Sequence, residues 1–292
     1  MRIWQCTGLS INGVGGVERH VAEVSAGLKR LGHSVHVGRA LPDGWLAQAT
    51  TADPIVLHTH GDAWPNPRLL VSRTRRQLLW VHVCHGTSAG RVIACREFTS
   101  ISGWRGSVSD FFPTRFADAA VAVGQRALDE ARTYFLMKLP AAVIPNGADP
   151  SIFAPIKQVE ATPRLIFVGR GDDRVKNVAA LLAACAQTRS DVPELQLWCA
   201  PGIDYDYTVQ PFVKNLGALN SKELARAMEQ SRALVLCSLY EGDPIVLHEA
   251  QGLGIPVVVS DIPQIRASLR GYANAIYVNP RNVDSIAFGL RN

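Results

Sequence analysis

The 292-residue chain has six cysteines but no C-x-x-C pair, so the thiol spacing of zinc ribbons and dithiol redox enzymes is missing. Cys6, Cys84, Cys95, Cys185, Cys199 and Cys237 are scattered, several of them inside apolar runs. Cysteine packs there as a small hydrophobe, and we take all six as reduced core residues. No window holds the roughly 18 uninterrupted apolar residues that a membrane span needs. The opening MRIWQCTGLSINGVGG lacks the charged, then apolar, then small layout of a secretory signal, so a cytoplasmic protein is expected. No low-complexity tract occurs. No G-x-x-x-x-G-K-S/T loop occurs either, which excludes the P-loop nucleotidases.

What is present is an ordinary globular composition, 47% apolar and 19% charged. The length suits two domains of roughly 150 residues each. The net charge is +5, and the whole excess falls in the first 150 residues, much of it in Arg68, Arg73, Arg75, Arg76, Arg91, Arg96 and Arg105. Such a patch attracts anions, such as phosphorylated ligands or an anionic lipid surface. A merely solvated face is the plainer alternative. No nucleic-acid motif accompanies the charge, and no nucleic-acid partner is expected.

Short apolar strands alternate with amphipathic helices, the pattern of a parallel sheet covered on both faces. Strands are expected at Arg2–Thr7, Ser34–Val37, Pro54–His60, Leu78–Cys84, Ala119–Val123 and Ala141–Pro145. After the glycine loop Asn12-Gly13-Val14-Gly15-Gly16, a helix carries Val17, Val21, Val24, Leu28 and Leu31 on one face, and Gly32 stops it. Asn146–Pro163, rich in proline and alanine, looks like a linker. The pattern then restarts, with strands at Leu165–Val168, Gln196–Cys199, Ala233–Cys237 and Pro256–Val259 and helices at Asn177–Ala186, Lys222–Gln230 and from Leu247. The expected fold is therefore α/β: two Rossmann-like, doubly wound parallel-sheet domains, residues 1–155 and 156–292, facing across a cleft.

Two stretches carry candidate chemistry. Glu241-Gly-Asp-Pro-Ile-Val-Leu-His-Glu249 follows an apolar strand, and Pro244 suits a helix start. The amides of Ile245 and Val246 would then offer a phosphate site, with Glu241 in the loop and Glu249 just over one turn into the helix. Acidic residues at a helix start also suit the dipole alone. Gly169-Arg170-Gly171-Asp172-Asp173-Arg174-Val175-Lys176 follows the strand LIFV. Its Arg170 and Lys176 can hold a pyrophosphate and stabilise its departure, or be ordinary basic residues of a surface turn.

With Gly15-Gly16-Val17-Glu18 and Pro145-Asn146-Gly147-Ala148-Asp149, and with Gly254-Ile-Pro256-Val257-Val258 after the glutamates, these motifs resemble the family-4 glycosyltransferases in order and spacing across nearly the whole chain. The resemblance implies a GT-B fold, with the nucleotide diphosphate sugar held by the C-terminal half and the acceptor by the N-terminal half. It implies retention at the anomeric carbon, no cofactor and no metal requirement. Arg170 and Lys176 would hold the donor phosphates, with Gly169 at the head of their turn. Glu249 would take the ribose, Glu241 the sugar, and backbone around Leu216 and Gly217 the base. Gly15 and Gly16 would admit the pyrophosphate. His85, in Val-His-Val-Cys-His-Gly-Thr, matches the family's histidine that contacts the donor sugar, and Asn146 would lie near the hinge.

His58, His60 and Asp62 fall on the acceptor side. Imidazoles and a carboxylate there would suit a metal, an acceptor pocket or plain packing, and we assign no metal. Trp104, Phe111, Phe112 and Phe116 interleave with Arg105 and Arg115, as in a segment that dips into lipid or simply ends a core helix. The expected acceptor is phosphorylated, a glycan or lipid-linked, in envelope polysaccharide synthesis, with peripheral contact at the inner face of an anionic membrane. Asp243 stands where the family usually has an aromatic, and Gln251 where it has a small or apolar residue. Asn282–Leu290 reads as the start of a helix that does not finish, so the family's final crossover helix is expected to be missing. These departures leave a catalytically degenerate nucleotide-binding or partner-binding protein as the alternative. A dinucleotide oxidoreductase is disfavoured, because the loop gives G-x-G-G with Glu18 in place of the last glycine.

Overall fold

The structure is a computed structural model that describes residues 1–7, 15–61, 76–156, 162–200 and 210–292, with the side chains of 102–104 outside the description. The chain divides into two compact units, Met1–Pro145 and Asn146–Asn292.

In the N-terminal unit the elements run β1 (Arg2–Cys6), α1 (Gly16–Arg30), β2 (Ser34–Val37), α2 (Trp45–Gln48), β3 (Ile55–His60), β4 (Leu78–Cys84), α3 (Ser88–Cys95), α4 (Ile101–Phe116), β5 (Ala119–Ala122), α5 (Gln125–Tyr134) and β6 (Ala141–Val143). In the C-terminal unit they run β7 (Arg164–Val168), α6 (Val178–Thr188), β8 (Gln196–Ala200), β9 (Val213–Asn215), α7 (Ser221–Glu229), β10 (Ala233–Leu236), α8 (Ile245–Leu253), β11 (Val257–Ser260), α9 (Pro263–Ser268), β12 (Ala275–Val278) and α10 (Val283–Arg291).

Among the described residues each unit builds one six-stranded sheet, ordered β2-β1-β3-β4-β5-β6 and β12-β11-β10-β7-β8-β9. Every recorded pairing is parallel. Parallel strands need crossovers and are covered on both faces, which is why β10 (ALVL) and β11 (VVVS) are buried throughout. In each sheet the winding reverses once, between β1 and β3 and between β7 and β10. Loops leaving the carboxyl ends of those neighbours diverge and leave room for a ligand. The expected α/β class with two doubly wound units is what the chain forms.

The C-terminal unit has one continuous core around Phe167, Leu181, Leu197, Met228, Leu234 and Leu247. The N-terminal unit has two smaller clusters, one around Trp4, Leu57 and Trp80 and one around Ala122, Leu128 and Ala131. All six cysteines are free thiols, five of them buried. Burial pushes the Cys6 thiol up to about 11 and the Cys237 thiol to about 12, which leaves both unreactive near neutrality.

Two expectations need correcting. Leu31 does not join the buried face of α1, because it is the C-cap residue and is 74% exposed. Residues 146–156, read as linker or first-domain chain, pack on the C-terminal unit. Phe153 is buried there, and the Ile156 amide donates to the Leu253 carbonyl at 3.0 Å. Helix α10 forms where a helix was expected to start: the Asn282 side chain accepts from the Ser285 amide, and Gln187 of α6 donates to Asp284. Strands β9 and β12 and helices α2, α3, α5 and α9 were not anticipated.

The close approach of residue 153 to α8 explains Gly252, since a Cβ there would stand 2.6 Å from the Phe153 carbonyl oxygen. Gly252→Ala is therefore expected to destabilise the C-terminal unit by about 1–3 kcal/mol, although alanine favours helix. Urea denaturation of the two proteins measures the difference.

Candidate active site

The C-terminal unit gathers its charged candidates where β7 and β10 meet. Gly169 leaves β7 with its amide on the Ala200 carbonyl at 2.8 Å. A Cβ at Gly169 would lie 3.1 Å from the Phe167 ring and 3.4 Å from the Lys176 methylenes, so that lysine lies across the strand end beside the glycine. The turn Arg174–Lys176 is capped by Asp173, whose carboxylate accepts from the Val175 amide. Two further bonds tie this turn to the chain leaving β10. The Leu239 amide donates to the Val175 carbonyl at 2.8 Å, and Asn177 Nδ2 donates to the Cys237 carbonyl at 3.1 Å. Asn177 adopts a left-handed conformation to do so, which asparagine tolerates better than most residues.

These ties set Lys176 Nζ 2.7 Å from Glu241 Oε1, both side chains largely buried. A buried carboxylate needs such a partner, and an ammonium with three protons can serve a second acceptor as well. Arg170 is different. Its side chain is 57% exposed and only 3.4 Å from Asp173, so the structure fixes one of the two expected cations and leaves the other at the surface.

Helix α8 starts directly after Glu241-Gly-Asp, with Pro244 at the N-cap and no side-chain cap. Ile245 and Val246 thus present their amides at the positive end of the helix. Glu249, one turn further, is buried. Leu216 follows β9 with its amide on the Cys199 carbonyl, and Gly217 takes a left-handed conformation beside it. Gly169, Lys176, Leu216, Glu241 and the start of α8 all lie at the carboxyl edge of one sheet.

Sequence reasoning noted Asp243 only as a departure, but its carboxylate is a hub. It accepts from His248 Nε2 at 2.8 Å, from Ser268 Oγ at 2.6 Å and from the Asn146 amide at 2.7 Å, while Asn146 Nδ2 donates to its carbonyl at 2.6 Å. One side chain thus joins the loop before α8, the helix itself, the end of α9 and the first residue of the unit. His248 and Ser268 carried no local signal, because their importance depends on what Asp243 touches.

In the N-terminal unit the reversal between β1 and β3 gathers imidazoles. His60 ends β3, almost wholly buried. Its Nδ1 lies 3.0 Å from His85 Nε2, just past β4, and its Nε2 lies 2.6 Å from Gln5 Oε1 on β1. His20, on the first turns of α1, sets its ring edge-on to His85 with centroids 4.6 Å apart. It was not anticipated, although it follows the noted glycine loop by a helical turn. Gly15 is the extended N-cap of α1. Gly16 opens the helix, and a Cβ there would meet nothing within 4 Å. Asp62 lies outside the described residues.

Burial, reinforced by the neighbouring His85 and His20, holds the His60 ring well below the usual histidine range, and burial does the same to His85. His58 is pushed down to about 4 by burial and then by His20, and His82, bonded to Thr59, to about 4 by burial alone. Among the described residues no helix is long and apolar enough to cross a membrane. On α4, Phe111 and Phe116 are 44% and 45% exposed while Phe112 packs against Trp80, so one helix carries both a packed and an exposed aromatic face.

Residues 162–292 match the family described as Glycosyl transferases group 1. That match takes in most of the C-terminal unit. The chain is 30% identical over 162 residues to the phosphatidyl-myo-inositol mannosyltransferase of Mycobacterium tuberculosis, covering 50% of this chain and 42% of the relative. It is 36% identical over 86 residues to the uncharacterized glycosyltransferase MJ1607 of Methanocaldococcus jannaschii, covering 30% of this chain and 22% of that one. The mannosyltransferase of Mycolicibacterium smegmatis is 26% identical, with 92% of this chain and 78% of its own covered. The aligned part of this chain thus spans less than half of the first two relatives. Among solved structures, sucrose-phosphate synthase of Thermosynechococcus elongatus superposes with a TM-score of 0.76 at 17% identity, covering 100% of this chain and 89% of its own. Anabaena HepE in complex with UDP-glucose gives 0.70 at 17%, with the same coverage. These likenesses give the chain the GT-B fold class.

The lowered histidines predict an acid-sensitive N-terminal unit. Because the folded His82 value lies below the unfolded value of 6.5, the unfolded chain takes up the proton first. Stability is therefore whole above about pH 6.5 and falls as pH drops toward 4, by roughly 3 kcal/mol from His82 alone. Urea unfolding across that range should show the loss, and His82→Asn should flatten the slope even where it lowers the plateau.

Proposed function

We propose that the chain is a glycosyltransferase of the GT-B type that moves a sugar from a nucleotide diphosphate donor to an acceptor hydroxyl with retention at the anomeric carbon. The observation that carries this is the Lys176–Glu241 pair at 2.7 Å, set beside the uncapped start of α8 at the reversal point of a group 1 domain sheet. Lys176 and the Ile245 and Val246 amides take the diphosphate, Glu249 the ribose and Glu241 the sugar hydroxyls. That HepE was solved with UDP-glucose supports a donor of this class. Membership of family 4 within this group is part of the same proposal.

In the transfer, the bond from the anomeric carbon to the phosphate oxygen breaks as the acceptor oxygen bonds the same face. The acceptor proton passes to the departing phosphate oxygen. Lys176 shares its protons between Glu241 and that phosphate, and the helix amides add donors that need no reorganisation. Arg170 swings in from solvent rather than standing ready. The reaction asks no cofactor or metal of the protein. His85 remains the member of the N-terminal unit assigned to the sugar.

The acceptor is proposed to be phosphorylated, a glycan or lipid-linked, of the envelope polysaccharide kind. Exposed Phe98, Ile101, Val108, Phe111 and Phe116, near Arg96, Arg105 and Arg115, support contact with an anionic membrane surface at the cytoplasmic face. The phosphatidyl-myo-inositol mannosyltransferases among the mycobacterial relatives are named for a lipid, while a glycogen synthase of Mycobacterium tuberculosis is also among them. Asp243, where an aromatic was expected, makes a fully bonded hub, which favours an intact loop over a degenerate one.

Calorimetric titration with UDP, GDP and ADP tests the donor site. One nucleoside diphosphate should bind selectively, and Lys176→Ala and Glu249→Ala should each weaken it at least 10-fold. Binding untouched by both substitutions would remove the assignment. Association with anionic vesicles should fall as salt rises, and indifference to both would remove the membrane proposal.

A further inference from the structure

The three imidazoles of the N-terminal unit form a constellation of which the proposed transfer uses only His85. His20 comes from α1, His60 from the end of β3 and His85 from the chain after β4, and one ring nitrogen of each lies within 4.8 Å of the others. We propose that His20, His60 and His85 form a three-imidazole site for a divalent transition metal of the zinc class.

The chemistry of the donors selects the ion. Three nitrogen ligands suit zinc, cobalt, nickel or copper, whereas magnesium and calcium require oxygen. Bonds of about 2.0–2.1 Å at tetrahedral angles put ligand nitrogens roughly 3.3 Å apart. His60 and His85, now at 3.0 Å, need open only slightly, and His20, on the half-buried face of a helix, closes the rest. The back of the site is also built. Gln5 Oε1 accepts from His60 Nε2–H at 2.6 Å, which leaves the Nδ1 lone pair directed at His85, and an acceptor behind a ligand histidine is the usual orienting device of metal centres. The proton now shared between His60 and His85 moves to His85 Nδ1 when the metal takes Nε2, so no charge is left over. Among the described residues no fourth protein ligand stands within that group, and the fourth position is open to water or to an oxygen of a bound molecule.

The transfer proposed above needs no metal. An ion held here would occupy the His85 nitrogen and so act as an inhibitor, a consequence that rests on the transferase proposal while the site itself does not.

Cobalt(II) is the probe, titrated into the full chain freed of metal with a chelator. One ion per chain should bind and develop the visible absorption of a nitrogen-ligated, four-coordinate site. Zinc should displace it, and magnesium in large excess should not. His20→Gln and His85→Ala should each weaken binding at least 10-fold with an unchanged far-ultraviolet spectrum. Should His85→Ala fail to fold, His20→Gln at its half-buried helical position decides. No bound cobalt, or binding unaltered by His20→Gln, overturns the proposal. Nucleoside diphosphate binding, which belongs to the C-terminal unit, is read separately, so failure of one proposal does not imply failure of the other.

Discussion

The hydrogen-bonded pairing of β7 with β10 is the contact on which the charged site rests. These strands lie far apart in sequence, yet Leu234 pairs with Ile166, because a doubly wound sheet must return to its first strand to build its second half. The return leaves the Lys176 turn and the Glu241 loop side by side. The amide of Leu239 on the Val175 carbonyl and the Asn177 side chain on the Cys237 carbonyl then hold them in register. Without that adjacency neither charge has a buried partner, and both would remain in water.

The two units satisfy buried polar groups in different ways. In the C-terminal unit charge meets charge or a set of donors: Glu241 has Lys176, and Asp243 has His248, Ser268 and the Asn146 amide. In the N-terminal unit the rings of His58, His60, His82 and His85 are kept neutral by desolvation, and His60 bonds to His85 and Gln5 while His82 bonds to Thr59. A paired charge keeps its counter-ion ready for an arriving anion. A neutral imidazole keeps a lone pair for a proton or a Lewis acid.

The group 1 match covers the C-terminal unit, and the whole chain shares the GT-B fold class with structures only 17% identical to it. Fold at that distance says where a ligand sits relative to the sheet, since the edge at a reversal point is set by topology. Which sugar and which acceptor depend on side chains that topology does not choose.

Much was legible beforehand. Alternating apolar strands and amphipathic helices specified two parallel-sheet units, because strands buried on both faces must be apolar throughout. Gly169, Lys176, Glu241 and the start of α8 were legible because local rules, a turn after a strand and a proline before a helix, place them at strand ends. The short strands β9 and β12 and the small helix α9 were not, since three- and four-residue pieces and a single turn and a half carry little periodicity. Only the tertiary structure decided that Lys176 and Glu241 touch while Arg170 faces water, that Asp243 is a hub, and that His20 joins His60 and His85. Each of these depends on which strands become neighbours. That adjacency comes from packing the whole sheet at minimum exposed apolar surface, a property no local window of sequence contains.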